Sequence, residues 1–139
     1  MGLWKRVIEG VDELAGVAFF EGFSAQERSR VIELSTELDI EPGTVLIDQG
    51  DAGLDCFVVL DGTAAVYIGS EYVNSAGKGS VVGEMALVDH RPRSASVIAE
   101  TQMKVLRFDA RRFKTLLSEM PKAEERIMAM LTARLRSNS

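Results

Sequence analysis

Between Gly83 and Ser96 the chain gathers, in 14 residues, the groups needed to hold a phosphate and a sugar together. The run Gly83-Glu84-Met85-Ala86-Leu87 is followed six residues later by Arg93-Ser94-Ala95-Ser96. A glycine lets backbone approach a ligand where a Cβ would clash. Exposed N–H groups at the start of a helical turn favour an anion. Arg93 offers a planar fork of donors that suits phosphate oxygens. An ionised Glu84 can only accept, so it suits a hydroxyl donor such as a ribose 2′-OH.

These residues need elements to position them. From Leu38 to Phe108, short apolar and β-branched runs alternate with turn residues such as Glu41-Pro42-Gly43, Gln49-Gly50-Asp51 and Ala76-Gly77-Lys78-Gly79. The pattern predicts strands near 45–48, 56–60, 64–68, 71–74, 80–82, 95–99 and 103–108. Asp61-Gly62 between two apolar runs predicts a hairpin. Many short strands at this spacing suggest a barrel or jelly roll. The first 36 residues read as helical, with Trp4, Val7, Val11, Leu14 and Ala18 at helical spacing. Phe19-Phe20-Glu21-Gly22-Phe23 interrupts them. Ser24 with Glu27 forms a capping box that opens a helix carrying Val31, Leu34 and Leu38 on one face. Asp109 caps a helix bearing Phe113, Leu116 and Leu117. Pro121 ends that helix or opens the next, which carries Ile127, Leu131 and Leu135 beside Met128. The expected fold is mainly β with flanking helices: one domain over 1–139, with N-terminal helices over 1–37, a roll over 38–108 and C-terminal helices over 109–139.

Composition narrows the function. The 139 residues carry a net charge of -5, which argues against a non-specific nucleic-acid binder but not against one small anionic ligand in a locally positive pocket. The one cysteine, Cys56, lies in the apolar run Cys56–Leu60 and reads as a small buried hydrophobe. It excludes an internal disulfide and fits a reducing compartment. No apolar stretch approaches the length of a membrane span, and the N-terminus lacks a signal-peptide core, so the expected location is the cytoplasm.

Gly83-Glu84-Met85-Ala86-Leu87 with Pro92-Arg93-Ser94-Ala95-Ser96 resembles the phosphate-binding cassette (83–96) of cyclic nucleotide-binding domains, the module of catabolite activator protein and of protein kinase A regulatory subunits. Pro42–Asp51 is similar to the family's first hairpin and Val58–Val66 to its next. Asp109, Phe113, Leu116, Leu117 and Pro121 are similar to its hinge helix. The resemblance covers about residues 19–136. It implies a double-stranded β-helix, a jelly-roll-like β-roll, with a C-terminal hinge and lid. It implies that Glu84 takes the ribose 2′-OH and that Arg93 pairs with the cyclic phosphate. Backbone N–H groups of Gly83, Met85, Ala86 and Ala95 would supply further contacts. Ser94 would bond the phosphate and could also face a guanine edge. Leu131 or Arg134 on the lid helix would cover the base. The implied ligand is cAMP rather than cGMP, the former being commoner for such modules in bacteria. No catalytic cofactor and no metal are implied.

Blander readings exist for each residue. Arg93 alone could be a surface charge paired with Glu84 or Asp89. Arg134 could be an exposed cation near a helix C-terminus, favoured there by the dipole. His90, the single histidine, lies in the polar run Asp89-His90-Arg91 and reads as exposed. A metal-dependent enzyme on a similar roll would need a cluster of histidine and carboxylate ligands, which one histidine cannot supply. The expectation is therefore a non-enzymatic sensor. The alternative is a roll that serves as an interaction or scaffold protein and no longer uses its pocket. Only Arg136–Ser139 follow the last apolar stripe, so the output is expected to come from a separate effector protein or an effector domain outside this sequence. Either terminal helix could donate an apolar face to a homodimer.

Overall fold

The computed structural model describes residues 14, 16–53, 55–83 and 92–137. Eight strands form among them: β1 (Thr36–Ile40), β2 (Val45–Ile47), β3 (Asp55–Asp61), β4 (Ala64–Ile68), β5 (Glu71–Ala76), β6 (Val81–Val82), β7 (Ser96–Ala99) and β8 (Met103–Asp109). They make two four-stranded antiparallel sheets, ordered β1-β8-β3-β6 and β2-β7-β4-β5. The helices are α1 (Ala25–Leu34), α2 (Ala110–Glu119) and α3 (Pro121–Ser137), with a 3-10 turn at Ala18–Phe20 before them. The architecture is the mainly β roll with flanking helices that the sequence predicts.

Two apolar clusters hold it. Between the sheets lie Ile47, Phe57, Val59, Ala64, Val97, Met103 and Val105. On the other face of the β1-β8-β3-β6 sheet, Cys56, Val58, Leu60, Leu106 and Phe108 meet Phe20, Val31, Phe113, Leu116 and Ile127 from the helical segments. Strand β3 therefore buries both faces, which is why its sequence is a continuous apolar run and not an alternating one. Cys56 is fully buried within it, as expected of a small hydrophobe.

The helix ends follow the chemistry read from the sequence. Glu27 N–H donates to Ser24 Oγ at 3.0 Å and Ser24 N–H donates to Glu27 Oε1 at 2.9 Å, which completes the capping box. Asp109 accepts from Arg112 N–H at 2.8 Å, and Pro121 occupies the first position of α3. Two expectations needed correction. Leu38 does not extend α1: the helix ends at Leu34, Ser35 is already extended, and Leu38 lies in β1 opposite Val105. Pairing with β8 outweighs the helical spacing. Ala18 lies in the 3-10 turn and is exposed, not on a buried helical stripe. Met128 is exposed, while Ile127 beside it is buried. Trp4, Val7 and Val11 lie outside the described residues.

The helices are tied by charge as well as by apolar contact. Arg30 donates both Nε and Nη2 to the Glu119 carboxylate at 2.9 Å, joining α1 to α2. The Arg30 bonds hold the Glu119 carboxyl below its usual range, and the Ser24 amide does the same for Glu27. A depressed carboxylate pKa contributes stability fully above the ordinary value of 4.5 and loses it as pH falls through the lower folded values. Unfolding free energy should therefore fall below about pH 4.5. In Glu119→Gln that part of the acid limb should flatten in urea titrations between pH 3 and 6. An unchanged slope would show that the pair is screened out. Both groups are solvent-exposed, so the effect will be small.

Candidate functional site

Strand β6 pairs with β3 through Val82 opposite Phe57 and Val81 opposite Val58. At Gly83 the chain leaves the ladder with φ +90. That departure leaves two backbone carbonyls at the ladder's end, those of Gly83 and Asp55. The guanidinium of Arg93 takes both: Nη1 donates to Gly83 O at 2.7 Å and Nη2 donates to Asp55 O. Arg93 is 8% exposed and is the buried charged side chain among the described residues.

Gly83 is required twice over. A side chain at φ +90 would be strained. A Cβ there would also stand 2.6 Å from Arg93 Nη1, 3.0 Å from Asp55 O and 3.1 Å from Ile47 Cδ1. The glycine therefore makes the space in which the arginine lies. The Arg93 backbone is fixed independently. Its N–H donates to Asp51 O at 2.8 Å, and its C=O accepts from Gly50 N–H at 2.8 Å. Just beyond, Ser96 Oγ accepts from Gln49 N–H at 2.9 Å. The turn at 48–51 thus clamps the start of β7 and delivers the arginine inward.

A guanidinium carries five N–H donors. The two carbonyls fix its plane. Donors held in one plane in this way match the spacing of phosphate or carboxylate oxygens. The geometry suits a small anion bound at the end of the β3–β6 ladder.

Of the residues read from the sequence, the structure brings Gly83 and Arg93 into direct contact. Ser94 follows as an exposed residue and Ala95 as a half-buried one. Glu84, Met85 and Ala86 lie outside the described residues, as do Leu87, Asp89 and His90. The backbone at Leu131 and Arg134 belongs to α3, and their side chains lie outside the described residues. Helix α3 is anchored at its other end. Lys122 Nζ donates to Gly22 O at 2.9 Å, and Arg126 donates to the carbonyls of Phe19 and Glu21 while lying over the Phe23 ring at 5.3 Å. Sequence reasoning missed the partners Asp55 and Gly50–Asp51, because they act through their backbones. The one available signal was Gly50, whose φ of +91 marks the clamp's turn.

This buried arginine, reaching across the mouth of a roll to a positive-φ glycine, belongs to a known class. Residues 37–120 match the sequence profile of the cyclic nucleotide-binding domain, and the chain belongs to that family. It is 36% identical over 104 residues to the cAMP-dependent protein kinase regulatory subunit of Hypocrea atroviridis, covering 75% of this chain and 22% of that one. It is 30% identical over 107 residues to the cAMP-dependent protein kinase type II regulatory subunit of Drosophila melanogaster, covering 77% and 28%. The chain thus spans about a quarter of the length of these relatives. Among solved structures it is similar to the second cyclic nucleotide-binding domain of a protein kinase A regulatory subunit with Sp-2Cl-cAMPS bound, with a TM-score of 0.80 and 25% identity over 96% of this chain and 92% of that one. No helix among the described residues is long and apolar enough to cross a membrane.

Proposed function

We propose that this chain is a sensor module that binds cAMP in preference to cGMP and passes on occupancy through its C-terminal helices. The observation that carries this reading is the Arg93 fork buried against the Gly83 carbonyl. In this reading Arg93 pairs with the cyclic phosphate, and Glu84 accepts from the ribose 2′-OH. The N–H groups of Gly83, Met85, Ala86 and Ala95 complete the phosphate and ribose contacts, with the Ser94 hydroxyl beside them. Leu131 or Arg134 covers the base from α3. The preference for cAMP is supported by the names of the relatives, which are regulatory subunits of cAMP-dependent kinases. They also support a regulatory and not a catalytic role and an effector such as a kinase catalytic subunit; a cytoplasmic setting is part of the same proposal. Ligand that binds one position of α3 better than another would shift the helix population by that difference in affinity.

One fork of charge-assisted bonds plus several N–H donors can reach micromolar affinity, about -8 kcal/mol, after the entropy of association. Calorimetric titration of the chain should show cAMP binding more tightly than cGMP, and 2′-deoxy-cAMP more weakly than cAMP. Glu84→Gln should narrow the gap between cAMP and its 2′-deoxy analogue. Equal selectivity in both proteins would remove Glu84 from the ribose. No heat with either cyclic nucleotide, and no thermal shift, would favour an interaction module with an unused pocket.

A further inference from the structure

We propose that the outer face of the β2-β7-β4-β5 sheet, with the open edge of β5, docks an extended basic segment of a partner protein. Of the five large hydrophobic side chains that are exposed among the described residues, four lie on this sheet: Val45, Ile68, Tyr72 and Val73. Scattered exposed apolar groups need no explanation, but their concentration on one sheet does: Val45 and Tyr72 share the outer face with Ile98 and Tyr67, and Ile68 stands at the β4–β5 hairpin. Tyr67 and Tyr72 stack edge to face at 5.9 Å across β4 and β5. Beside them is an open depression of about 440 Å3, lined by Ala65, Tyr67, Gly69, Ser96, Ile98 and Glu100.

The edge strand fits the same reading. Strand β5 ends its sheet, and five of its six residues are exposed. Edge strands are usually protected from pairing by lysine, proline or a bulge. The sequence of β5 has neither lysine nor proline; its one bulge is confined to Val73, and Asn74–Ala76 pair in regular register beyond it. An added strand would find unpaired backbone groups along this edge and apolar side chains on the face beside it.

Charge selects the occupant. The four strands contain no Lys or Arg. Carboxylates stand around the face: Glu71 at the β5 start, Glu100 accepting from Ser75 Oγ at 3.2 Å, and Asp48 accepting from Ser96 Oγ at 3.4 Å. A second copy of this chain carries the same acidic rim and a net charge of -5, so like charges oppose self-pairing. A strand alternating basic and apolar residues complements both the rim and the floor. The Arg93 fork lies at the β3–β6 end of the other sheet; the surface shares with its clamp the Asp48–Ser96 corner, and the residues changed in the test, Glu71, Tyr72 and Glu100, lie outside that corner.

The test uses an alternating Arg-Val decapeptide, with an alternating Glu-Val decapeptide as control, added to the full isotope-labelled chain. Saturable binding of the Arg-Val peptide is expected, with amide shifts concentrated at residues 65–76 and 96–100. The double variant Glu71→Lys/Glu100→Lys should weaken it by about tenfold at low salt, as should raised ionic strength. Tyr72→Ser keeps the charge and should weaken it as well. Equal binding of the Glu-Val peptide, shifts spread over acidic surface elsewhere, or full affinity in Tyr72→Ser would overturn the proposal. So would concentration-dependent self-association through β5 in place of peptide binding.

Discussion

Arg93→Lys is expected to lower cAMP affinity by about 10- to 150-fold although the positive charge is kept. Each hydrogen bond to a charged group contributes on the order of 1.5–3 kcal/mol. The guanidinium reaches the Gly83 and Asp55 carbonyls at the same time because two of its nitrogens lie in one rigid plane. A lysine ammonium is a single point on a flexible stem. It can meet one carbonyl, or turn toward a phosphate, but it cannot hold the orientation that the fork imposes. The substitution should also lower unfolding stability by about 1–3 kcal/mol, because a buried carbonyl at the ladder's end loses its donor. The exposed Arg107 on β8 provides the control. Arg107→Lys should leave affinity within about twofold, as surface substitutions usually do. Calorimetry on the two variants decides the matter. Near-unchanged affinity in Arg93→Lys would mean that charge alone, and not the fork, is what the ligand reads.

Gly83 and Arg93 could be read from the sequence because both act through properties of their residue type. One lacks a Cβ, and the other carries a planar cation. Asp55 could not be read as a site residue, because its carbonyl would be the same with any side chain in its place. The clamp of Gly50 and Asp51 on the Arg93 backbone was hidden for the same reason. The roll was legible from the turn residues and the two-faced run of β3. Strand β1 was not. Its burial alternates as a half-covered strand should, yet Leu38 falls at a helical interval from Leu34 and Val31. Local periodicity could not separate the two until β8 was in place opposite it. The anchoring of α3 was equally opaque. Lys122 and Arg126 reach carbonyls about 100 residues earlier in the chain, a pairing that no local pattern around either residue encodes.

Gly62→Ala is the substitution expected to cost most in folding, about 2–5 kcal/mol. Gly62 turns the β3–β4 hairpin with φ +85. An added Cβ would lie 2.3 Å from Gln102 O and 2.9 Å from Met103 Cα, so it meets backbone and not the movable end of a side chain. The turn has little freedom to withdraw. Thr63 N–H donates to Thr101 Oγ1 at 3.0 Å, and Thr63 O accepts from Glu100 N–H at 3.0 Å. The β3–β4 and β7–β8 corners are thus stitched together, and relieving the contact means parting them. Backbone strain at positive φ contributes about 1–2 kcal/mol, and overpacking about 1–3 kcal/mol more. Gly43→Ala separates these two effects. Gly43 has nearly the same φ, +86, and nothing within 4 Å of the position its Cβ would take. It should lose only the strain, and the difference between the two variants in urea unfolding measures the clash. Equal losses would show that the corners part without cost. A larger loss at Gly62 would show that the join between corners is rigid, and that β4 and β7 are held in register from this end of the roll.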